Sequence, residues 1–151
     1  SFIERLSRAL AMATPELIGP DPVEVPEAQE KRLVKLTEQV VADACHEGDA
    51  VLVGRAAVAV LGRRVDALHV RVVAPLEHRV QVAADRHGVS LEDAAKRFKA
   101  VDANRARYHR QYYDRDWADA RSYHLTVNTA WLGLERSAEL VVEAVRGRSE
   151  S

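Results

Sequence analysis

The chain has 151 residues, 47% of them hydrophobic and 30% charged, the balance of one domain able to bury about two-thirds of the surface its unfolded form exposes. Its net charge of −1 gives it no general attraction for nucleic acid or anionic membranes. No apolar run is long enough to span a bilayer, the first residues lack the plan of a secretory signal, and the single cysteine, Cys45, cannot close an internal disulfide, so a cytoplasmic setting is the expectation.

In chain order, Phe2, Leu6, Ala9, Leu10 and Ala13 share one side of a helix predicted over 2–13. Residues 14–26 hold Pro15, Gly19, Pro20, Pro22 and Pro26 and read as a connector. A long helix is predicted from Glu27 to His46. Its apolar positions are Leu33, Leu36, Val40, Val41 and Ala44, Cys45 is core filler, and Gly48 is the stop. Ala50-Val51-Leu52-Val53 is short and apolar on both faces, which suits a buried parallel strand ending at Gly54-Arg55. A short helix over 56–61 and a second strand, Leu68 to Val73, follow, and Pro75 is placed to open a helix from Leu76 to His87. Ser90, with Asp93 three residues on, caps a helix reaching Tyr113. The third strand is Leu125 to Val127, and Leu134 to Arg146 forms the last helix. This alternation predicts an α/β fold: one domain over 1–151, with three layers and helices on both faces of a parallel sheet.

Ligands of open parallel sheets bind beyond the carboxyl ends of the strands, here Gly54-Arg55, Ala74-Pro75 and Asn128-Thr129. Arg55 would reach over its strand tip. On the helix ending at Tyr113, the residues Phe98, Val101, Arg105, Tyr108 and Tyr112 repeat at steps of three and four, as a buried stripe does. An arginine inside such a stripe is costly unless it is paired or meets an anion. Asp102, one turn earlier, supplies a pair, and a cleft phosphate would serve equally; the spacing leaves both open. Arg79 and Arg86, seven apart, are placed to flank one polyanion or to lie on the surface. The six histidines have no metal-ligand spacing, and no Ser or Cys sits in a nucleophile elbow. The tyrosines among arginines suit a single-stranded nucleic-acid surface less well than packing, because Tyr108 and Tyr112 lie on the stripe.

Five segments occur in an order that resembles the cytidylate-kinase-like family of nucleoside monophosphate kinases, over about 27–146. They are Val51-Leu52-Val53-Gly54-Arg55, then Ala74-Pro75-Leu76-Glu77-His78-Arg79, then Asp102-Ala103-Asn104-Arg105 with Tyr108 and Tyr112. Trp117-Ala118-Asp119 and Tyr123-His124-Leu125-Thr126-Val127-Asn128-Thr129 complete the set. The resemblance implies a P-loop kinase fold and phosphoryl transfer from ATP, with Mg2+, to a nucleoside monophosphate of the CMP or dCMP class. It implies that Arg55 contacts the acceptor phosphate, and that Asp102, Arg105 and Tyr108 hold the nucleotide. Arg79 would open a lid-like, arginine-rich region over 75–121 and neutralise the transferring phosphoryl group, with Arg86 and Tyr112 assisting.

Three departures stand out. Ala56 and His124 occupy positions where the family commonly has Asp, and the chain has no glycine-rich phosphate loop. In the family, the strand feeding that loop lies between the strands equivalent to 50–53 and 68–73. The chain is therefore expected to be the C-terminal part of a longer polypeptide, with those two strands either closed up or left with unpaired edges. Two other readings remain: a non-catalytic nucleotide- or anion-binding regulatory module, and a protein-interaction domain using exposed sheet edges. A homo-oligomer is compatible with each.

Overall fold

The computed structural model describes residues 27–46, 49–54, 56–62, 64 and 66–149. The helix expected over 2–13, the connector over 14–26, Gly48 and Arg55 lie outside these residues.

Helix α1 (Glu27–His46) forms where predicted, with part of the predicted stripe turned inward. Val41 of that stripe is buried and Ala44 half-buried, and Val34, which it left out, is buried too, while Leu33, Leu36 and Val40 are exposed, Val40 by 66%. Apolar residues surround more of this helix than its neighbours cover, so spacing alone picked an arc that is only partly covered. Cys45 is half-buried.

The run Ala50 to Val53 corrects the expectation of a first strand. It joins no ladder, and Val51 and Val53 are 48% and 49% exposed. An apolar run becomes a strand only where a neighbour takes its backbone hydrogen bonds, and none of the described residues does so here. Gly54, at φ 71, and Ala56, at φ 51, then turn the chain into the one-turn helix α2 (Ala57–Val60).

Strand β1 (Val70–Val73) leads into α3 (Leu76–His87) and α4 (Leu91–Tyr113). A 3-10 turn (Ala120–Ser122) precedes β2 (Leu125–Asn128), and α5 (Thr129–Leu132) and α6 (Leu134–Ser149) close the order. The strands β1 and β2 pair in parallel, with Val70 opposite Leu125, Arg71 opposite Thr126 and Val73 opposite Asn128. A parallel pair needs a long crossover, which the helices α3 and α4 supply. The fold is thus α/β and mostly helical, around a two-stranded parallel sheet. The three-layer sheet expected from the sequence is not formed by the described residues: β1 has no partner on its second edge, and the run 50–53 has not closed up against it.

Two small cores hold these elements. Val80 and Ala83 of α3 meet Ala94 and Phe98 of α4, with Leu76, Val89 and Ala95 around them. Ala138, Val141 and Val142 of α6 cover Leu68, Val70 and Leu125 on one face of the sheet. Alternation along β1 sends Arg71 to the opposite face. Local chemistry sets the helix boundaries. Ser90 Oγ accepts from Asp93 N–H (3.0 Å) to start α4, and Gly88, at φ 65, ends α3 with its N–H on Ala84 O (2.9 Å).

Candidate functional site

Phase along α3 places Arg79 one residue before buried Val80, which turns its side chain toward α4. There Asp102 accepts from Arg79 through both oxygens, from Nη1 at 3.2 Å and Nη2 at 2.8 Å. This is the fork-to-fork geometry that makes an arginine–carboxylate pair strong. Arg105, one turn further along α4, reaches the same carboxylate at 3.5 Å. Asp102 is therefore shared by two arginines, and the closer partner is the one on the other helix. All three side chains are about a quarter to a third exposed. The Arg79 guanidinium also lies over the Phe98 ring, 4.9 Å from its centre.

On the sheet side, Arg71 of β1 donates from Nη1 to Ala118 O (2.7 Å) and stacks on Trp117 and Tyr123, at 5.1 and 5.8 Å. Arg105 approaches the same Trp117 ring at 5.7 Å. Arg71, Trp117, Arg105, Asp102 and Arg79 thus form a continuous chain from β1 across α4 to α3. The Nε groups of Arg71 and Arg79 are buried and donate to none of the described residues. With two guanidinium groups on one carboxylate and a third over the adjoining Trp117 ring, the cluster suits an anion. Of the two roles left open by spacing, the ion pair is present: Arg105 pairs with Asp102, at a longer distance than Arg79 does.

Of the other residues singled out by sequence, Tyr108 and Tyr112 pack against each other, ring centres 5.1 Å apart, in a cluster that includes His109 and Tyr113. Arg86 is exposed in the last turn of α3. Arg115 holds the α2 segment through Val58 O (3.1 Å). Burial, then the cations of Arg115 and Arg105, push His109 below its ordinary pKa. Burial raises the phenols of Tyr113 and Tyr123. Among the described residues no three His, Cys, Asp or Glu side chains come together as metal ligands.

His124 has a structural place at the start of the sheet. Its Nδ1 accepts from the His69 backbone N–H (2.9 Å), and its own N–H donates to His69 O (2.8 Å). The two rings stack 5.1 Å apart and nearly parallel. His69 is buried; burial first, then His124, Arg115 and Arg148, holds its pKa down.

Sequence reasoning missed the Arg79–Asp102 pair and the whole contribution of Arg71. A signal for Arg71 was present: it is the one charge inside the apolar stretch Val70 to Val73.

A family model described as the cytidylate kinase-like family matches residues 2–130, beginning upstream of the motifs and stopping before α6. A uronate isomerase from Corynebacterium glutamicum is 29% identical over 116 residues, which are 77% of this chain and 22% of that protein. A cytidylate kinase from Methanopyrus kandleri is 29% identical over 96 residues, 58% of this chain and 50% of the relative. The chain thus spans half or less of the length of these curated relatives. The structure of an uncharacterized protein from Eubacterium ventriosum shares the fold with a TM-score of 0.67 at 18% identity, covering 77% of this chain and 64% of that one. Among the described residues no helix is long and apolar enough to cross a membrane.

Proposed function

The chain belongs to the cytidylate kinase-like family, and from that premise we propose that it carries the acceptor half of a phosphoryl-transfer site for a nucleoside monophosphate of the CMP or dCMP class. The observation that carries this reading is the Asp102 carboxylate shared between Arg79 and Arg105, from two helices that pack on each other. Phosphoryl transfer asks a protein for positioning and cationic stabilisation more than for covalent help. In this reading Arg105 and Asp102 hold the nucleotide and its phosphate, with Tyr108 beside them. Arg79, on the neighbouring helix, faces the group in transfer, and Arg55 contacts the acceptor phosphate, as the family resemblance implies. Arg86 and Tyr112 belong to the lid-like region over 75–121.

ATP and Mg2+ would supply the transferred group and neutralise its charge. The described residues offer no ligand set for the metal, and the given sequence has no glycine-rich loop. Among the described residues the second edge of β1 is unpaired, and a further strand would add there.

Calorimetric titration of CMP and of ATP into this chain, with Arg105→Ala as control, tests the reading. The expected result is CMP binding that Arg105→Ala abolishes, with no comparable ATP binding. CMP binding that survives Arg105→Ala, or no CMP binding at all, refutes it.

A further inference from the structure

We propose that Trp117 and Arg71 are positioning residues for Arg105, holding its guanidinium where it meets the phosphate of the acceptor. This rests on the reading of the site given above. The Asp102–Arg105 contact is 3.5 Å, at the outer limit of a hydrogen bond, while the carboxylate's shorter bonds go to Arg79. A contact of that length leaves the orientation of a long side chain to be set by its other neighbours. The flat face of Trp117, 5.7 Å from the Arg105 guanidinium carbon, narrows that choice, because a guanidinium stacks on an indole in few orientations.

The ring is itself fixed from the sheet. Arg71 stacks on it at 5.1 Å and donates to the next carbonyl, Ala118 O, at 2.7 Å. Tyr123 donates its hydroxyl to Trp117 O at 2.9 Å. The acidic groups nearby are engaged: Asp116 accepts from Ala118 N–H (2.8 Å), and Asp119 pairs with Arg121 (2.9 Å). Two cations therefore share one ring while the central carboxylate is mainly committed to a third. The ring and the strand thus set the orientation in which the Arg105 guanidinium meets a phosphate monoester.

The test uses the full chain and CMP as the probe. Trp117→Leu is expected to weaken CMP about tenfold, and Trp117→Phe, which keeps an aromatic face, to stay within about threefold. Arg71→Met should weaken it by a similar factor and add little on top of Trp117→Leu. In an Arg105→Lys background, which keeps the charge but loses the planar stack, Trp117→Leu should cost little further. In Trp131→Phe, where Trp117 is the remaining tryptophan, saturating CMP should change its emission.

Equal losses in the wild-type and Arg105→Lys backgrounds, or a Trp117 emission indifferent to bound CMP, overturn the proposal. If Trp117→Leu does not fold, Arg71→Met in the two backgrounds decides in the same way. If Arg105→Ala weakens CMP and Trp117→Leu does not, this inference fails alone. If Arg105→Ala has no effect, the reading of the site fails and this inference falls with it.

Discussion

Replacing Asp102 with Asn removes the charge from the centre of the cluster and keeps its shape. Breaking a fully buried ion pair costs about 3–5 kcal/mol, and an exposed one contributes about 0.2–1 kcal/mol. Arg79 and Asp102 are 26% and 27% exposed, between those limits, and their bond is bidentate. A loss of about 2 kcal/mol follows, which for a chain of this length lowers Tm by about 4–8 °C. Because Arg105 is left facing Arg79 without the carboxylate, part of this loss is repulsion and shrinks in salt. The assay is a double-mutant cycle in urea, with Asp102→Asn, Arg79→Met and the pair. Methionine keeps the stem that packs over Phe98 while removing the guanidinium. Coupling of about 1–2 kcal/mol is expected for two groups in direct contact. Additive losses, with coupling under about 0.5 kcal/mol, would refute the claim that this pair joins α3 to α4.

Other outcomes follow from the same structure. His69 and His109 have folded pKa values held below the unfolded one, so the unfolded chain binds protons first. Their stabilisation is full above the unfolded value of about 6.5 and is lost as pH falls through the lower folded values. The urea midpoint should therefore drop between pH 7.5 and pH 5.5, and a flat profile would contradict the burial of both rings. Phe98→Ala, at a side chain 5% exposed between α3 and α4, should cost about 3–5 kcal/mol by chemical denaturation. Ser90→Ala removes the cap of α4 and should cost about 1 kcal/mol. At ten times its dissociation constant for the wild type, inorganic phosphate should stabilise the wild type by about 1.4 kcal/mol and Asp102→Asn, whose arginines are no longer held in place, by less. Equal shifts would place phosphate elsewhere.

Where sequence reading succeeded, the deciding forces were local. The helix Leu76 to His87 and the Ser90 cap are fixed by Pro75, Gly88 and the Ser90–Asp93 pair, all within a few residues of the boundary they set. The run 50–53 failed as a strand because strand formation depends on a distant partner that composition does not reveal. The α1 stripe was only partly right for a related reason: Leu33 and Val40 are as apolar as buried Val41 and Val34, and only packing tells which of them are covered. At the site, Asp102 and Arg105 were legible because they are three apart on one helix. The stronger Arg79–Asp102 pair spans two helices and 23 residues, and the Arg71–Trp117 stack joins a strand to a loop, so neither has a periodic signature.

The sharing of Asp102 has a consequence for how the cluster would take a ligand. Three guanidinium groups around an empty pocket would repel one another, and the long side chains would swing into solvent. A single carboxylate between Arg79 and Arg105 prevents this while leaving the cluster with net positive charge. It holds the two arginines near the arrangement that a phosphate would also favour, since carboxylate and phosphate oxygens accept from the same guanidinium fork. Binding a phosphate would then cost little side-chain ordering, because the ion pairs have already met most of that cost. A salt bridge serving stability alone needs one cation for its carboxylate. The second arginine at 3.5 Å, its guanidinium over a ring that a third arginine also approaches, goes beyond that minimum. Under the proposed function, these further guanidinium groups are the ones a phosphate would meet.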